Sequence, residues 1–172
     1  MTNTIHFKET QRAFGSWTTI IQVIAIGLAL IFWYGFIKQI ILGEPFGDKP
    51  AGNSGLIIAW IIFGIIFPIF FLTMHMTTIV KDDGVYVRYF PFILKPKFFA
   101  FKDLHSFGAT TYRPIATYMG WGIRHGLDGS KAYTMRGKRG MQFFMKDGKV
   151  FVIGTQTPEQ FQKAMETSFY SD

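Results

Sequence analysis

The sequence predicts an α+β membrane protein, in which an N-terminal two-helix transmembrane hairpin precedes a small antiparallel β-barrel or roll capped by a C-terminal helix. Two long uncharged stretches in the first half predict the hairpin. Short alternating stretches punctuated by glycine predict the β domain, and a capped amphipathic stretch predicts the last helix. Charge divides the chain in the same way, because 14 of the 18 Lys and Arg residues lie at or after Lys81.

The first apolar run, Trp17–Ile37, has 21 residues without a charge, and Gln22 is its most polar interior residue. A helix of about 20 apolar residues crosses the hydrocarbon core of a bilayer. We expect a transmembrane helix over residues 17–42, with Trp17 and Trp33 at the level of the headgroups. A cleaved signal peptide is the alternative, but its apolar core spans only about 7–15 residues.

The second apolar run, Leu56–Met74, has 19 uncharged residues and contains Pro68. Membrane helices tolerate an internal proline when neighbouring groups satisfy the freed carbonyl. We expect a second transmembrane helix over residues 56–76, joined to the first by a loop at residues 43–55. A buried helix pair of a soluble protein is less favoured, because neither run has a polar face.

Charge counts outside the two runs predict the orientation in the membrane. The N-terminal tail, residues 1–16, has a net charge of +1, the loop has −1, and the part beyond the second run has +6. Positively charged segments stay in the cytoplasm. We therefore expect a multi-pass protein of the inner (plasma) membrane with both termini, and the whole of residues 77–172, in the cytoplasm.

The second half has the pattern of a β domain, with alternating residues separated by glycine turns. Asp147-Gly148 is a hairpin turn signal between two alternating stretches. The predicted strands are Val85–Phe90, Lys97–Phe101, Leu104–Tyr112, Gly122–His125, Lys131–Met135 and the two arms of a hairpin over Gly140–Thr155.

A C-terminal helix is predicted over residues 158–169. Thr157 is a suitable N-cap, Pro158 suits the first helical position, and Gln160 completes a capping box. One apolar stripe follows at helical spacing: Phe161, Ala164, Met165 and Phe169. An amphipathic helix after a curled sheet can cover the open end of that sheet.

This order of elements over residues 77–172 resembles the pleckstrin-homology-like (PH-like) fold. Four segments resemble a prokaryotic family of unknown function with two helices followed by a PH-like domain: Gly47–Pro50, Tyr112–Ile115, Tyr118–Arg124 and Ile153–Pro158. Where that family has Gly-Gly-Trp-Gly, this sequence has Met119 before Gly120. The resemblance implies a fold, and it implies no activity.

The residue types argue against an enzyme. There is no cysteine, and the four histidines lack metal-ligand spacing, so we expect neither a metal nor a cofactor. Asp82-Asp83 is better explained as a turn before Gly84, since adjacent strand residues point to opposite faces. Gly120-x-Gly122-x-x-x-Gly126 does not match the dinucleotide-binding pattern. The chain shows no nucleic-acid-binding motif either.

A basic cluster is the candidate binding site, for anionic lipid headgroups or for a protein partner. Its simpler explanation is a solvated hairpin turn that keeps the domain soluble. The candidate residues are Arg113, Arg124, Lys131, Arg136, Lys138 and Arg139. Together with the transmembrane hairpin, these residues predict a membrane-anchored binding or scaffolding module. Ala25-x-x-x-Ala29 offers a small-residue surface for self-association. The alternative is an accessory subunit of a membrane transporter or membrane enzyme complex.

Overall fold

The computed structural model describes residues 4–13 and 17–169, and it divides into two compact units. The helical unit comprises residues 13–74. The β unit is formed by the residues on both sides of it, up to Arg12 and from His75 onward. The β unit is therefore discontinuous in sequence, with the helical unit inserted into it.

Two long helices make up the helical unit. The first is α1 (Trp17–Phe36), which continues as a π-helical turn over Ile37–Ile41. The second begins as α2 (Asn53–Ala59), passes through the π-helical segment Trp60–Ile66 and ends as α3 (Phe67–Thr73).

The second helix is shifted from the predicted residues 56–76. It begins at Asn53 and ends at Thr73, because the chain turns extended at Met74 and His75 opens a strand. Pro68 lies inside this continuous helix, just after the π-helical segment, and lacks the N–H that would bond to the carbonyl oxygen of Gly64. The predicted position of the Trp17 side chain lies outside what the structure describes.

Side-chain hydrogen bonds join the two helices. The indole Nε1 of Trp33 donates to the carbonyl oxygen of Gly64 at 3.1 Å, and Nε2 of Gln22 donates to that of Phe71 at 3.2 Å. Ala25 is buried, with only 1% of its surface exposed. Of the two small residues predicted to mediate self-association, Ala25 is therefore already covered within one chain, and Ala29 is half-buried.

The first sheet of the β unit has four antiparallel strands in the order of the chain. They are β1 (Ile5–Arg12), β2 (His75–Lys81), β3 (Gly84–Phe90) and β4 (Ile93–Ala100). Strand β1 precedes the helical unit and β2 follows it, yet the two are neighbours. Arg12 lies opposite His75 in their register.

Strand β1 corrects the prediction of an N-terminal tail over residues 1–16. Residues 1–3 and 14–16 lie outside the described part, but Ile5–Arg12 pair with β2, with a bulge at His6. Phe7 and Gln11 point inward and are buried, and Nε2 of Gln11 donates to the carbonyl oxygen of Gly154 at 2.8 Å. Nε2 of Gln11 and the Glu9 carboxylate therefore bond to residues far along the chain, which favours this strand.

The second sheet has five strands in the order β5-β8-β9-β7-β6. They are β5 (Leu104–Thr111), β6 (Gly122–His125), β7 (Lys131–Thr134), β8 (Arg139–Met145) and β9 (Val150–Gly154). All neighbours are antiparallel except β7 and β9, which are parallel. A short 3-10 turn, Phe101–Asp103, leads from the first sheet to the second.

Two helices complete the β unit. The short α4 (Pro114–Tyr118) follows β5 and is not among the predicted elements, although Pro114 suits its first position. The last helix, α5 (Pro158–Phe169), begins at the residue that its capping pattern indicates. Phe161 of α5 is fully buried and stacks on Phe7 at 5.0 Å between ring centroids, so β1 and α5 share one core.

Candidate functional site

Five of the six predicted basic residues lie around the turn that connects β7 to β8. We call this group the basic edge: Arg113, Arg124, Arg136, Lys138 and Arg139. Arg113, Arg124, Lys138 and Arg139 are exposed, and Arg136 is half-buried. The structure therefore brings together residues that are up to 26 positions apart in the sequence.

Main-chain contacts explain how distant residues reach this turn. The amide N of Tyr112 donates to the carbonyl oxygen of Lys138 at 2.8 Å, which places Arg113 beside the turn. The indole Nε1 of Trp121 donates to the carbonyl oxygen of Gly137 at 2.8 Å. Nε of Arg124 in turn donates to the carbonyl oxygen of Trp121 at 3.2 Å.

Arg139 is engaged within the fold. Its Nη1 donates to Oε1 of Glu159 at 3.1 Å, and its Nη2 donates to the carbonyl oxygen of Gln156 at 3.0 Å. Nε2 of Gln156 donates back to the carbonyl oxygen of Arg136 at 3.1 Å. These bonds attach the turn to the start of α5. The guanidinium of Arg139 is therefore partly neutralised by Glu159 and is less available to a ligand than the other four cations.

Exposed apolar side chains lie on the segments that flank the basic edge. Ile115, Met119 and Leu127 are 71%, 80% and 85% exposed, and we call them the apolar cap. Met119 ends α4 in a left-handed conformation with φ 57°. The amide N of Leu127 donates to the carbonyl oxygen of Thr117 in α4 at 3.3 Å, which places the three side chains on adjoining segments.

Lys131, the sixth predicted residue, lies apart from the basic edge. It opens β7 at the end of that strand distant from the turn, and its ammonium lies 5.7 Å from the ring centroid of Tyr133. It lines an open cleft together with Lys97, Lys146 and Lys149. No sequence signal predicts this grouping, because the four lysines come from β4, β7 and the β8–β9 turn.

Two of the four histidines make contacts that hold the β unit together. Nε2 of His6 lies 2.6 Å from Oδ1 of Asp82, and this hydrogen bond, with one from the amide of Thr4, lowers the pKa of the Asp82 carboxyl. His75 stacks on Phe90 at 5.3 Å between ring centroids. Within residues 4–13 and 17–169, no three His, Asp or Glu side chains form a group able to hold a metal ion.

Burial raises the pKa of Tyr89, whose hydroxyl contacts the second sheet. The Tyr89 hydroxyl donates to the carbonyl oxygen of Thr134 at 3.3 Å, and burial raises the pKa of Tyr89 to about 12. A buried phenol with this pKa stays neutral in the cell, so it serves packing and hydrogen bonding.

Comparison with known proteins identifies a family that covers nearly the whole chain. A model described as a family of unknown function, DUF6141, matches residues 2–171. No curated protein and no solved structure matches the chain significantly.

Proposed function

Because the chain belongs to a family of unknown function, DUF6141, we propose its role from the molecule itself: a non-enzymatic, membrane-anchored module that binds or assembles at the cytoplasmic face of the inner membrane. The helical unit is the anchor and the β unit is the binding part. The pairing of β1 with β2 across the inserted helices is the observation that carries this proposal.

The surface of the two long helices supports the anchor. They span 23 residues (Thr19–Ile41) and 21 residues (Asn53–Thr73), each long enough to cross a hydrocarbon core. A core helix of a soluble protein is mostly buried. Here only 17% and 11% of the most apolar windows are buried, which leaves wide apolar surfaces that lipid would cover.

The strand pairing supports an even number of crossings. Arg12 ends β1 and lies opposite His75, the first residue of β2. The chain therefore leaves the β unit and returns to it at one place. Both ends of the anchor then lie on the same side of the bilayer, and the positive charge beyond residue 80 favours the cytoplasmic side.

The β unit is proposed to be PH-like. A four-stranded sheet, a second sheet and a C-terminal helix that shares their core support this assignment. Its first strand, β1, precedes the anchor in the sequence, and β2 follows the anchor. Each of these two neighbouring strands is therefore attached to one membrane helix. Two attachments restrict the motion of a domain more than one attachment does.

We propose that the basic edge and the apolar cap together bind an anionic lipid surface. Cations beside exposed apolar side chains are typical of surfaces that lie in the membrane interface. Each Lys or Arg near an anionic leaflet gains on the order of 1 kcal/mol. Attachment to the membrane raises the effective concentration of lipid, so weak contacts suffice.

The accessory-subunit hypothesis has less support from the helices. A pathway through the membrane usually contains polar or ionisable groups. Gln22, the most polar residue of the first apolar run, is 4% exposed and donates its hydrogen bond to Phe71 of the other helix. It serves the helix pair itself.

Single cysteines in this cysteine-free chain test the anchor and its orientation. We expect the Asp48→Cys variant to react with an impermeant maleimide on intact cells, because the loop lies outside. The Lys163→Cys variant, on α5, should react only after permeabilisation. Equal labelling of both on intact cells, or recovery of the protein in the soluble fraction without detergent, would refute the topology.

Vesicle capture tests the binding surface. The full-length protein in phosphatidylcholine nanodiscs should bind phosphatidylglycerol vesicles at low salt and release them at high salt. The variant Arg113→Gln/Lys138→Gln should bind about 30-fold more weakly, at about 1 kcal/mol per charge. The matched control, Lys8→Gln/Lys163→Gln, should bind nearly as wild type. Equal capture by neutral vesicles would contradict the proposal.

A further inference from the structure

We infer that an open cleft of about 760 Å³ in the β unit, which we call the lysine cleft, binds the phosphate group of a small organic anion or of a lipid headgroup. The cleft lies away from the basic edge. Lys97 of β4, Lys131 of β7 and Lys146 and Lys149 of the β8–β9 turn line it. The inference goes beyond the proposed function and does not depend on it.

The lining has an excess of positive charge. Four lysines and His125 line the cleft, against the carboxylates of Asp103 and Asp147. Nζ of Lys149 lies 2.6 Å from Oδ2 of Asp147, so these two charges neutralise each other. Lys97, Lys131 and Lys146 then face Asp103 alone, which leaves a surplus that a ligand with about two negative charges would match.

Aromatic rings form the floor beneath two of these ammonium groups. The ring centroids of Phe99 and Phe151 are 5.0 Å apart, and those of Tyr133 and Phe151 are 6.5 Å apart. Nζ of Lys97 lies 6.0 Å from the Phe99 centroid, and Nζ of Lys131 lies 5.7 Å from that of Tyr133. The rings hold both ammonium groups by cation–π attraction without neutralising them.

The backbone fixes where the lysines stand. The amide N of Lys146 donates to the carbonyl oxygen of Asp103 at 2.9 Å, which attaches the β8–β9 turn to the start of β5. The parallel pairing of β7 with β9 sets Lys131 opposite Phe151. A site on paired strands and a bonded turn is preorganised, so less ordering is needed on binding.

The surplus of positive charge favours phosphate over carboxylate. All four long cationic side chains of the cleft are lysines, whose ammonium groups bind phosphate as point charges. A phosphate monoester carries about two negative charges at neutral pH, whereas a carboxylate carries one. The half-buried ring of Phe151 adds an apolar contact for the organic part of the ligand.

Lysine footprinting of the full-length protein in phosphatidylcholine nanodiscs tests the cleft. Phenyl phosphate is the probe, phenol is its uncharged counterpart, and mass spectrometry measures acetylation at each lysine. We expect phenyl phosphate to protect Lys97 and Lys131 saturably, and to leave Lys8 and Lys163 unprotected, because neither of these lines the cleft. Phenol should protect none of them.

A second arm distinguishes a lipid source from a soluble one. Nanodiscs that contain phosphatidic acid as the minority lipid receive no soluble probe. Protection of Lys97 and Lys131 in these discs supports a lipid headgroup as ligand, and protection by phenyl phosphate alone supports a soluble phosphate ester. Absence of protection in both arms, or equal protection of Lys8 and Lys163, overturns the inference.

Charge-matched variants complete the test. Lys97→Gln/Lys131→Gln should weaken phenyl phosphate binding about tenfold, and Lys8→Gln/Lys163→Gln less than about twofold, since only the first pair lines the cleft. Both pairs change the net charge equally. Equal weakening by the two variants would show a general charge effect and would overturn the inference.

Discussion

Excision of the helical unit should leave a soluble, folded β unit. In the variant, residues 13–74 are replaced by Asn-Gly, so that Arg12 connects to His75 through a two-residue turn. These two residues are already opposite each other in antiparallel strands, and Asn-Gly is the preferred sequence for such a hairpin. The excised chain should be monomeric without detergent and should unfold in one cooperative transition.

A truncation that begins at His75 is the informative comparison, because it lacks only β1. Removal of Phe7, which is 9% exposed and stacked on Phe161, costs about 3–5 kcal/mol by analogy with other buried phenylalanines. The Glu9 carboxylate accepts hydrogen bonds from Oγ1 of Thr155 and from the amide of Gln156, each about 1.5–3 kcal/mol.

These losses together reach roughly 6 kcal/mol or more, which is comparable with the whole stability of a small domain. The truncated chain should therefore aggregate or remain unfolded, whereas the excised chain should give dispersed amide resonances and a sharp thermal transition. The two proteins differ only in residues 1–12, which include β1, and in the two-residue turn. Equal stability of the two would refute the conclusion that β1 belongs to the core.

Three further predictions concern single residues. Gly84→Ala should destabilise the β unit by roughly 3 kcal/mol in denaturant unfolding, because φ is +149° and the new Cβ would lie 2.2 Å from a backbone oxygen of β4; an unchanged midpoint would contradict this. Trp33→Phe should weaken the helix pair by about 0.6 kcal/mol in micelles, since it removes the indole donor to Gly64; Tyr34→Phe, on the same helix, is the control. Asp128 accepts hydrogen bonds from the Ser130 hydroxyl and amide, which lower the pKa of its carboxyl. The ionised form therefore stabilises the fold above about pH 4, and this stabilisation is lost as pH falls through the lowered pKa. Asp128→Asn should reduce the loss of unfolding free energy between about pH 4 and lower pH, measured by denaturant unfolding at each pH. An unchanged loss would contradict this role of Asp128.

Most of the secondary structure follows from local signals. The capping residues before α5 and the Asp147-Gly148 turn are short-range features whose physics does not depend on the rest of the chain. Strand β1 lacks such a signal, because its inward positions include Glu9 and Gln11. Their partners, Gln156 and Gly154, are more than 140 residues away, so only the folded chain shows why these polar residues point inward.

Part of the candidate site can likewise be predicted from the sequence, and part of it is formed only by the folded chain. The cationic turn near residue 138 is visible as a run in the sequence, and Arg124 joins it through Trp121. The lysine cleft is invisible in the sequence, since Lys97 and Lys149 come from different sheets. Exposed Met119 and Leu127 also carry no signal, because a lone apolar residue in a loop resembles any other.

The interrupted first sheet has a consequence for synthesis. Strand β1 leaves the ribosome before either long helix, and its neighbour β2 appears only after both have been made. In the proposed topology, entry of only one helix into the bilayer would leave the two strands on opposite sides, and the sheet would not close. The β unit would thus fold only in chains whose two helices have both inserted. A misinserted chain would expose an unpaired strand edge, which promotes aggregation and proteolysis.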